Sequence, residues 1–453
     1  MLKISKKVLP FAIISSIAIT AAVSGFMPID VKADTEEKKI KNVIFMIGDG
    51  MGESYTTAYR YVKDDPSTPV MEKTEFDKYL VGTQMTYPED EHQNITDSAS
   101  AATAMSSGIK TYNAAIAVDN DQSEVKTVLE QAKEQGKATG LVATSEITHA
   151  TPAAFGAHDI SRKNMNAIAD DYFNEMINGK HKVDVLLGGG LNNFVRTDRN
   201  LVEEFKKDGY SFVTNREQLL NDKKGQILGL FAPGGMDKMI DRNEQTPSLQ
   251  EMTKSAIQRL SKDTDGFFLM VEGSQIDWAG HDNDIVAAMS EVQDFEKAYK
   301  EAIEFAKKDG NTLVVATADH STGGLSIGAK GQYIYDASPI KAAKRTPEFM
   351  AAEIAKGANV EETLKKYIDL QLTDKEIQSV IDTVVTKDQG TIDNAIEAIF
   401  NARSFTGWTT DGHTGEDVPV YAFGPGKEMF SGLIENTDNA KIIFKILAGE
   451  KVQ

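Results

Sequence analysis

The chain has no cysteine. That excludes disulfides, zinc fingers, iron–sulfur clusters and a lipoprotein anchor, and leaves His, Asp and Glu to hold any metal. Positive charge is scarce: 49 Lys and Arg stand against 68 Asp and Glu, a formal charge of −19. This argues against nucleic acid as a partner, because phosphate backbones must be met by basic side chains. There is no long Pro/Gly/Ser linker, low-complexity stretch or fixed-period repeat to mark a domain boundary. No Walker A motif occurs, Gly48-Asp49-Gly50-Met51-Gly52 is not the dinucleotide fingerprint, and no Gly-x-Ser-x-Gly elbow surrounds Ser98. What remains is a globular composition, 41% apolar and 26% charged over 453 residues, enough for one large α/β domain or two or three ordinary ones.

Lys3, Lys6 and Lys7 precede an apolar run from Val8 to Val23, and Val31-Lys32-Ala33 offers the small residues that a signal peptidase reads. Residues 1–33 are therefore expected to be a secretory signal cleaved after Ala33. The run is short for a membrane anchor and is broken by Ser15, Ser16 and Thr20. The mature chain is then exported, free or associated with the wall or periplasm, without a stable membrane span.

Buried strands are expected at Val43 to Ile47, Ala138 to Ala143, Val183 to Leu187, Phe267 to Val271, Leu313 to Ala316 and Val418 to Phe423. Amphipathic helices fall between them. One is expected to be capped by Ser123 and to stop at Gly136, and another runs through Val292, Phe295, Tyr299 and Ile303 to Gly310. Such alternation predicts an α/β fold with a mostly parallel central sheet and helices on both faces. Residues 34–453 read as one domain, with a mostly helical insertion at about 325–405 that contains the capping box Thr373-Asp374-Lys375-Glu376.

Ligands collect at the carboxyl ends of strands in such sheets, and here metal-ligating residue types recur at that position. Asp49 follows the first strand, Glu272 ends another, and Asp319-His320 closes a third. Asp277 and His281 stand four apart, so one helical turn would put both on one face. His413 lies between glycines. A strand-end Asp alone often caps the next helix, but this coincidence of type and place fits a multi-metal site better. His92 and His181 lie in polar surroundings and read as solvent-exposed. Thr96-Asp97-Ser98 opens a run of small residues to Gly108, where Ser98 at a helix start would face substrate across free N–H groups, or where the helix is simply packed on the sheet. With no His near Ser98 in sequence, its activation would have to come from a metal.

These blocks resemble the alkaline phosphatase family from about residue 40 to 425. The nucleophile motif is similar to Thr96-Asp97-Ser98-Ala99 with Gly108-Ile109-Lys110-Thr111-Tyr112-Asn113. The metal motifs resemble Ile47 to Gly52, Val271 to Asp277 with His281, Thr317 to Ser321, and His413-Thr414-Gly415. The phosphate-clamp segment resembles His149 to Ala154 and on through His158 to Lys163. The resemblance implies a three-layer sandwich and hydrolysis of phosphate monoesters through a phosphoserine, over a broad substrate range at alkaline pH. It implies Ser98 as nucleophile, Arg162 as phosphate clamp and Asp97 as its orienting partner. It assigns one zinc to Asp277, His281 and His413, a second to Asp49, Asp319 and His320, and a magnesium to Asp49, Thr151 and Glu272, with His149 beside it. His149 stands where some members carry Asp, and Trp278 where some carry Lys. Small phosphate monoesters are the implied partners, and the reading leaves room for a homodimer. A phosphodiesterase or phosphomutase of the same superfamily is the nearest alternative, and an exported metal- or phosphate-binding protein without turnover the more distant one.

Overall fold

The computed structural model describes residues 40–449, so the leader expected at residues 1–33 lies outside the described residues. Ten strands form one sheet: β1 Asn42–Gly48, β2 Leu80–Met85, β3 Ala138–Glu146, β4 Val185–Gly189, β5 Ser211–Val213, β6 Ile227–Leu230, β7 Phe267–Gly273, β8 Thr312–Thr317, β9 Val418–Phe423 and β10 Gly432–Glu435. Their order is β10-β2-β9-β8-β1-β7-β3-β4-β6-β5. Only β9 runs against the rest, pairing antiparallel with β8 and β2. All six expected strands are present, and the sheet is mostly parallel as expected.

Alternation along the central strands supplies two cores. Ile44 and Met46 of β1 join Leu269 and Val271 of β7 on one face. Val43, Phe45 and Ile47 join Phe268 and Met270 on the other. Both faces are thus apolar and both are covered by helices, the condition that makes such strands near-continuous hydrophobic runs. The helix Ile285–Asp309 packs on the first face and ends at Gly310, whose φ of 76° is the left-handed conformation that stops it.

The structure departs from the sequence expectations at two places. The cap of the helix Val128–Glu134 is Thr127 and not Ser123: Thr127 Oγ1 accepts from Glu130 N (3.2 Å) while the Glu130 carboxylate accepts from Thr127 N (2.9 Å). Ser123, with Lys126 three residues on, cannot make that reciprocal pair. His181 is buried, not solvent-exposed. It sits among Phe173, Phe205 and Tyr210, with its two ring nitrogens engaged by Phe173 O and the Asp208 carboxylate, each at 3.0 Å.

Between Ser326 and Gly407 the chain forms the helices Ser338–Lys341, Pro347–Ala355, Val360–Tyr367, Asp374–Ile381 and Gln389–Ser404, and the capping box at Thr373 is present. The two ends of this excursion are zipped together where Ser326–Ile327 pairs with Thr406–Gly407. Its Met350, Ile354, Ile396 and Phe400 belong to the same apolar cluster as Ile44 and Val292.

Candidate active site

The carboxyl ends of β1, β7 and β8 point Asp49, Glu272 and the Asp319-His320 pair into one buried pocket. Gly50 makes the turn after Asp49 with φ of 67°, and a Cβ there would lie 2.9 Å from Asp277 Oδ1. Glycine is needed at this point both for conformation and for room. The helix Gln275–His281 starts at Ser274, whose Oγ accepts from Thr144 N (3.2 Å) and Ser145 N (3.0 Å) and ties the helix to β3. One turn of it brings Asp277 Oδ2 and His281 Nε2 to 3.3 Å. His413 reaches them because His413–Thr414 pairs with Ser321–Thr322, directly after His320.

The tautomers of two of these histidines follow from their partners. His281 Nδ1 donates to Asp411 O (2.5 Å) and His413 Nδ1 donates to Thr96 O (2.8 Å), since a carbonyl can only accept. The two Nε2 atoms then face each other at 3.1 Å with Asp277 beside them, an arrangement that suits a cation between them. Asp319 Oδ1 accepts from Gly50 N and His320 N, both at 3.0 Å, which leaves Oδ2 free. His320 Nε2 lies 3.4 Å from Asp49 Oδ1 and 3.2 Å from Asp319 Oδ2. Three sets of ligand atoms each gather within 4.8 Å: Asp277, His320 and His413; Asp49, Asp319 and His320; and Asp49, His149 and Glu272. Buried oxygens without a partner cluster here, namely Asp49 Oδ2, Asp319 Oδ2, both Glu272 oxygens and Thr151 Oγ1. Buried acceptors left without donors are costly, and metal coordination satisfies them.

Ser98 is the first residue of the helix Ser98–Ser107 and is buried. Its Oγ lies 3.3 Å from His320 Nε2 and 3.5 Å from Asp49 Oδ1. Every residue from Ser98 to Ser106 is buried, so the small-residue run both packs tightly and delivers the serine. Asp97 caps this helix through Ser100 N and also accepts from Arg162 Nη1, both at 3.0 Å. Arg162 Nη2 is 3.1 Å from His149 Nε2, and the His149 and Trp278 rings meet in a T-shaped pair, 5.7 Å between centroids.

Charge in the pocket is unbalanced. Burial, then repulsion by Asp319, pushes Asp49 well above the usual carboxylate range. Burial likewise pushes Glu272 up to about 7 and Asp319 up to about 6. Burial also opposes ionisation of Asp277, but hydrogen bonding to His281 and the nearby His320 and His413 hold it well below its usual value. Its bond to Asp277 raises His281 to about 9. Burial, reinforced by Arg162, lowers His149 to about 3. Against its own burial, Asp97 is held below the usual range by Arg162 and by the N–H of Ser100.

Sequence reasoning missed Thr322. Its Oγ1 donates to Asp277 Oδ1 and stands 3.3 Å from His320 Nδ1, and Tyr55 OH donates to its carbonyl at 2.6 Å. Its position two residues after His320 was the only available signal. His92 is exposed and takes no part.

A family model described as alkaline phosphatase matches residues 40–448. Alkaline phosphatase 3 of Bacillus subtilis (strain 168) is 67% identical across 99% of this chain and 98% of its own length. A cold-active alkaline phosphatase from the psychrophile Shewanella sp. superposes with a TM-score of 0.85 at 40% identity, covering 90% of this chain and 99% of that one. A mutant of the TAB5 alkaline phosphatase, described with Mg bound in its M3 site, aligns with a TM-score of 0.66 at 32% identity over 91% of this chain and 99% of that one. With the family's model matched across nearly all described residues and a relative of that name identical at two positions in three, the chain belongs to the alkaline phosphatase family and hydrolyses phosphate monoesters.

Proposed function

We propose that hydrolysis proceeds through the Ser98 hydroxyl, with broad use of small monoesters at alkaline pH. Asp277, His281 and His413 would hold one zinc ion, Asp49, Asp319 and His320 a second, and Asp49, Thr151 and Glu272 a magnesium ion, with His149 at its edge. The unpartnered oxygens of Asp49, Asp319, Glu272 and Thr151 support this assignment. When bound, such cations supply Lewis-acid charge that lowers the pKa of a nearby hydroxyl and offsets charge on a departing alkoxide.

The chain's own residues do the rest. Ser98 Oγ attacks phosphorus, the alcohol leaves, and water then cleaves the phosphoserine to free phosphate. Arg162 offers two parallel N–H donors to two phosphate oxygens, a planar fork that Lys cannot copy. Asp97 takes Arg162 Nη1 and so fixes the plane of that fork. The free N–H groups at the start of the helix Ser98–Ser107 face the same phosphate. The single observation that carries the proposal is the place of Ser98 Oγ, 3.3 Å from His320 Nε2 and 3.5 Å from Asp49 Oδ1.

The test is turnover of a chromogenic monoester and the matching diester by wild type and Ser98→Ala, each with its metal content measured. Wild type should prefer the monoester, and the variant should keep its metal and lose nearly all turnover. Full activity in Ser98→Ala, or preference for the diester, would refute the assignment. We further propose that residues 1–33 direct export and that residues 34–453 form one catalytic domain carrying the helical insertion. The basic residues ahead of an apolar run support the first. Among the described residues no helix is long and apolar enough to cross a membrane.

A further inference from the structure

A second group of acids lies outside the catalytic pocket. Asp393 and Glu397 stand one turn apart on the helix Gln389–Ser404 and are only 5% and 4% exposed. Asp393 Oδ1 and Glu397 Oε1 have no hydrogen-bond partner. Asp282, which ends the helix Gln275–His281, adds a third carboxylate, and one oxygen from each of the three lies within 4.8 Å of the others. Asp284 and Glu348 add negative field to the same place. Lys238 is near enough to act on Asp393 and Asp282, but its ammonium donates to Gln275 Oε1 at 2.8 Å.

A comparison within the molecule shows what is unusual. Glu130, His158 and Glu175 are spaced as closely, yet Lys182 pairs with Glu175 and lies 3.6 Å from Glu130. There the protein supplies its own cation. At Asp393 and Glu397 none among the described residues reaches the orphaned oxygens. Burial, then the neighbouring acids, pushes Asp393 up to about 9 and Glu397 up to about 10. Three clustered carboxylates so placed are either held protonated or neutralised from outside.

We propose that Asp282, Asp393 and Glu397 bind a calcium ion. The donors are all carboxylate oxygens, which select a hard cation over zinc. Three acids in one place suit the larger, more flexible shell of calcium, whereas magnesium is usually held by one or two and keeps its water. The site joins two parts of the fold. Asn283, between Asp282 and Asp284, donates from Nδ2 to Gly280 O (2.9 Å) and Thr410 O (3.0 Å), and its own carbonyl accepts from Asn401 Nδ2 (3.0 Å). Calcium there ties the helix Gln389–Ser404 to the end of the helix that carries Asp277 and His281. Its role is structural, with no contact to substrate.

The test uses the full chain loaded with zinc and magnesium and then dialysed against radioactive calcium in excess magnesium. Wild type should retain one calcium per chain, and calcium should raise its thermal unfolding midpoint. The double variant Asp393→Asn, Glu397→Gln should retain none, and its midpoint should not respond. Should that variant fail to fold, Asp282→Asn, at the more exposed edge of the site, should bind calcium at least tenfold more weakly. The proposal is overturned if wild type takes up no calcium at roughly 10 mM, above the range of weak extracellular sites, which would mean that the acids are protonated. It is equally overturned if magnesium displaces the calcium at equal concentration, or if Asp282→Asn and the double variant bind it as wild type does.

Discussion

Replacing Asp97 by Asn separates two jobs that this side chain performs at once. Asp97 Oδ1 accepts from Ser100 N at 3.0 Å, while Oδ2 accepts from Ala114 N and Arg162 Nη1, each at 3.0 Å. Asn is about as good a helix cap as Asp, so the helix Ser98–Ser107 should survive with the amide oxygen in the Oδ1 position. The amide nitrogen that replaces Oδ2 can accept from neither Ala114 nor Arg162. A hydrogen bond to a charged group contributes about 1.5–3 kcal/mol, and partial exposure of the pair, 21% for each side chain, argues for the lower end through solvent screening. About 1.4 kcal/mol is a factor of ten in affinity, so the inhibition constant for inorganic phosphate should rise about tenfold. The assay is competitive inhibition of monoester turnover by phosphate at saturating zinc and magnesium, with a melting curve to show that the variant is folded. A folded variant with the wild-type inhibition constant would refute the idea that Asp97 holds the clamp.

Arg162→Lys should weaken phosphate by about 1 to 3 kcal/mol through loss of the two-pronged contact, and an unchanged inhibition constant would count against the clamp itself. The chelated protein should respond to pH in a way the metal-loaded one does not. Glu272 rises from an ordinary 4.5 to about 7 and Asp319 from 3.8 to about 6. A folded pKa raised this way contributes stability in full below the unfolded value and loses it as pH climbs through the folded one. The difference in melting temperature between loaded and chelated protein should therefore widen from about pH 4 to about pH 7, and a constant difference across that window would contradict the assignment.

Strands buried on both faces were legible because burial leaves no polar position to interrupt them, as in Val43 to Ile47. The four that escaped notice lack that signature. β5 has three residues, β6 is the short Ile-Leu-Gly-Leu, β10 is largely exposed, and β2 holds Gly82, where a Cβ would strike Gly432 O at 2.0 Å. Ser123 looked like a cap because a serine ahead of an apolar period is one, but the reciprocal glutamate three residues on belonged to Thr127. His181 looks exposed because its immediate neighbours in sequence are polar, while the aromatic rings around it arrive from residues 173, 205 and 210. In the pocket, strand-end acids and the Asp277/His281 spacing are local signals and could be read directly. The contacts of Arg162 with Asp97 and of His413 with His281 span 65 and 132 residues. Only resemblance to a family could pair such residues in advance. Nothing local marked the Asp282, Asp393 and Glu397 group, which forms when the helical excursion folds back.

In the proposed reaction Ser98 carries the phosphoryl group during turnover. Incubating the metal-loaded protein with labelled phosphate at mildly acid pH, quenching in strong acid and mapping the peptides measures this directly. One label is expected, on Ser98, absent from Ser98→Ala and from chelated protein. Label on another residue, or an active enzyme that never acquires any, would contradict it.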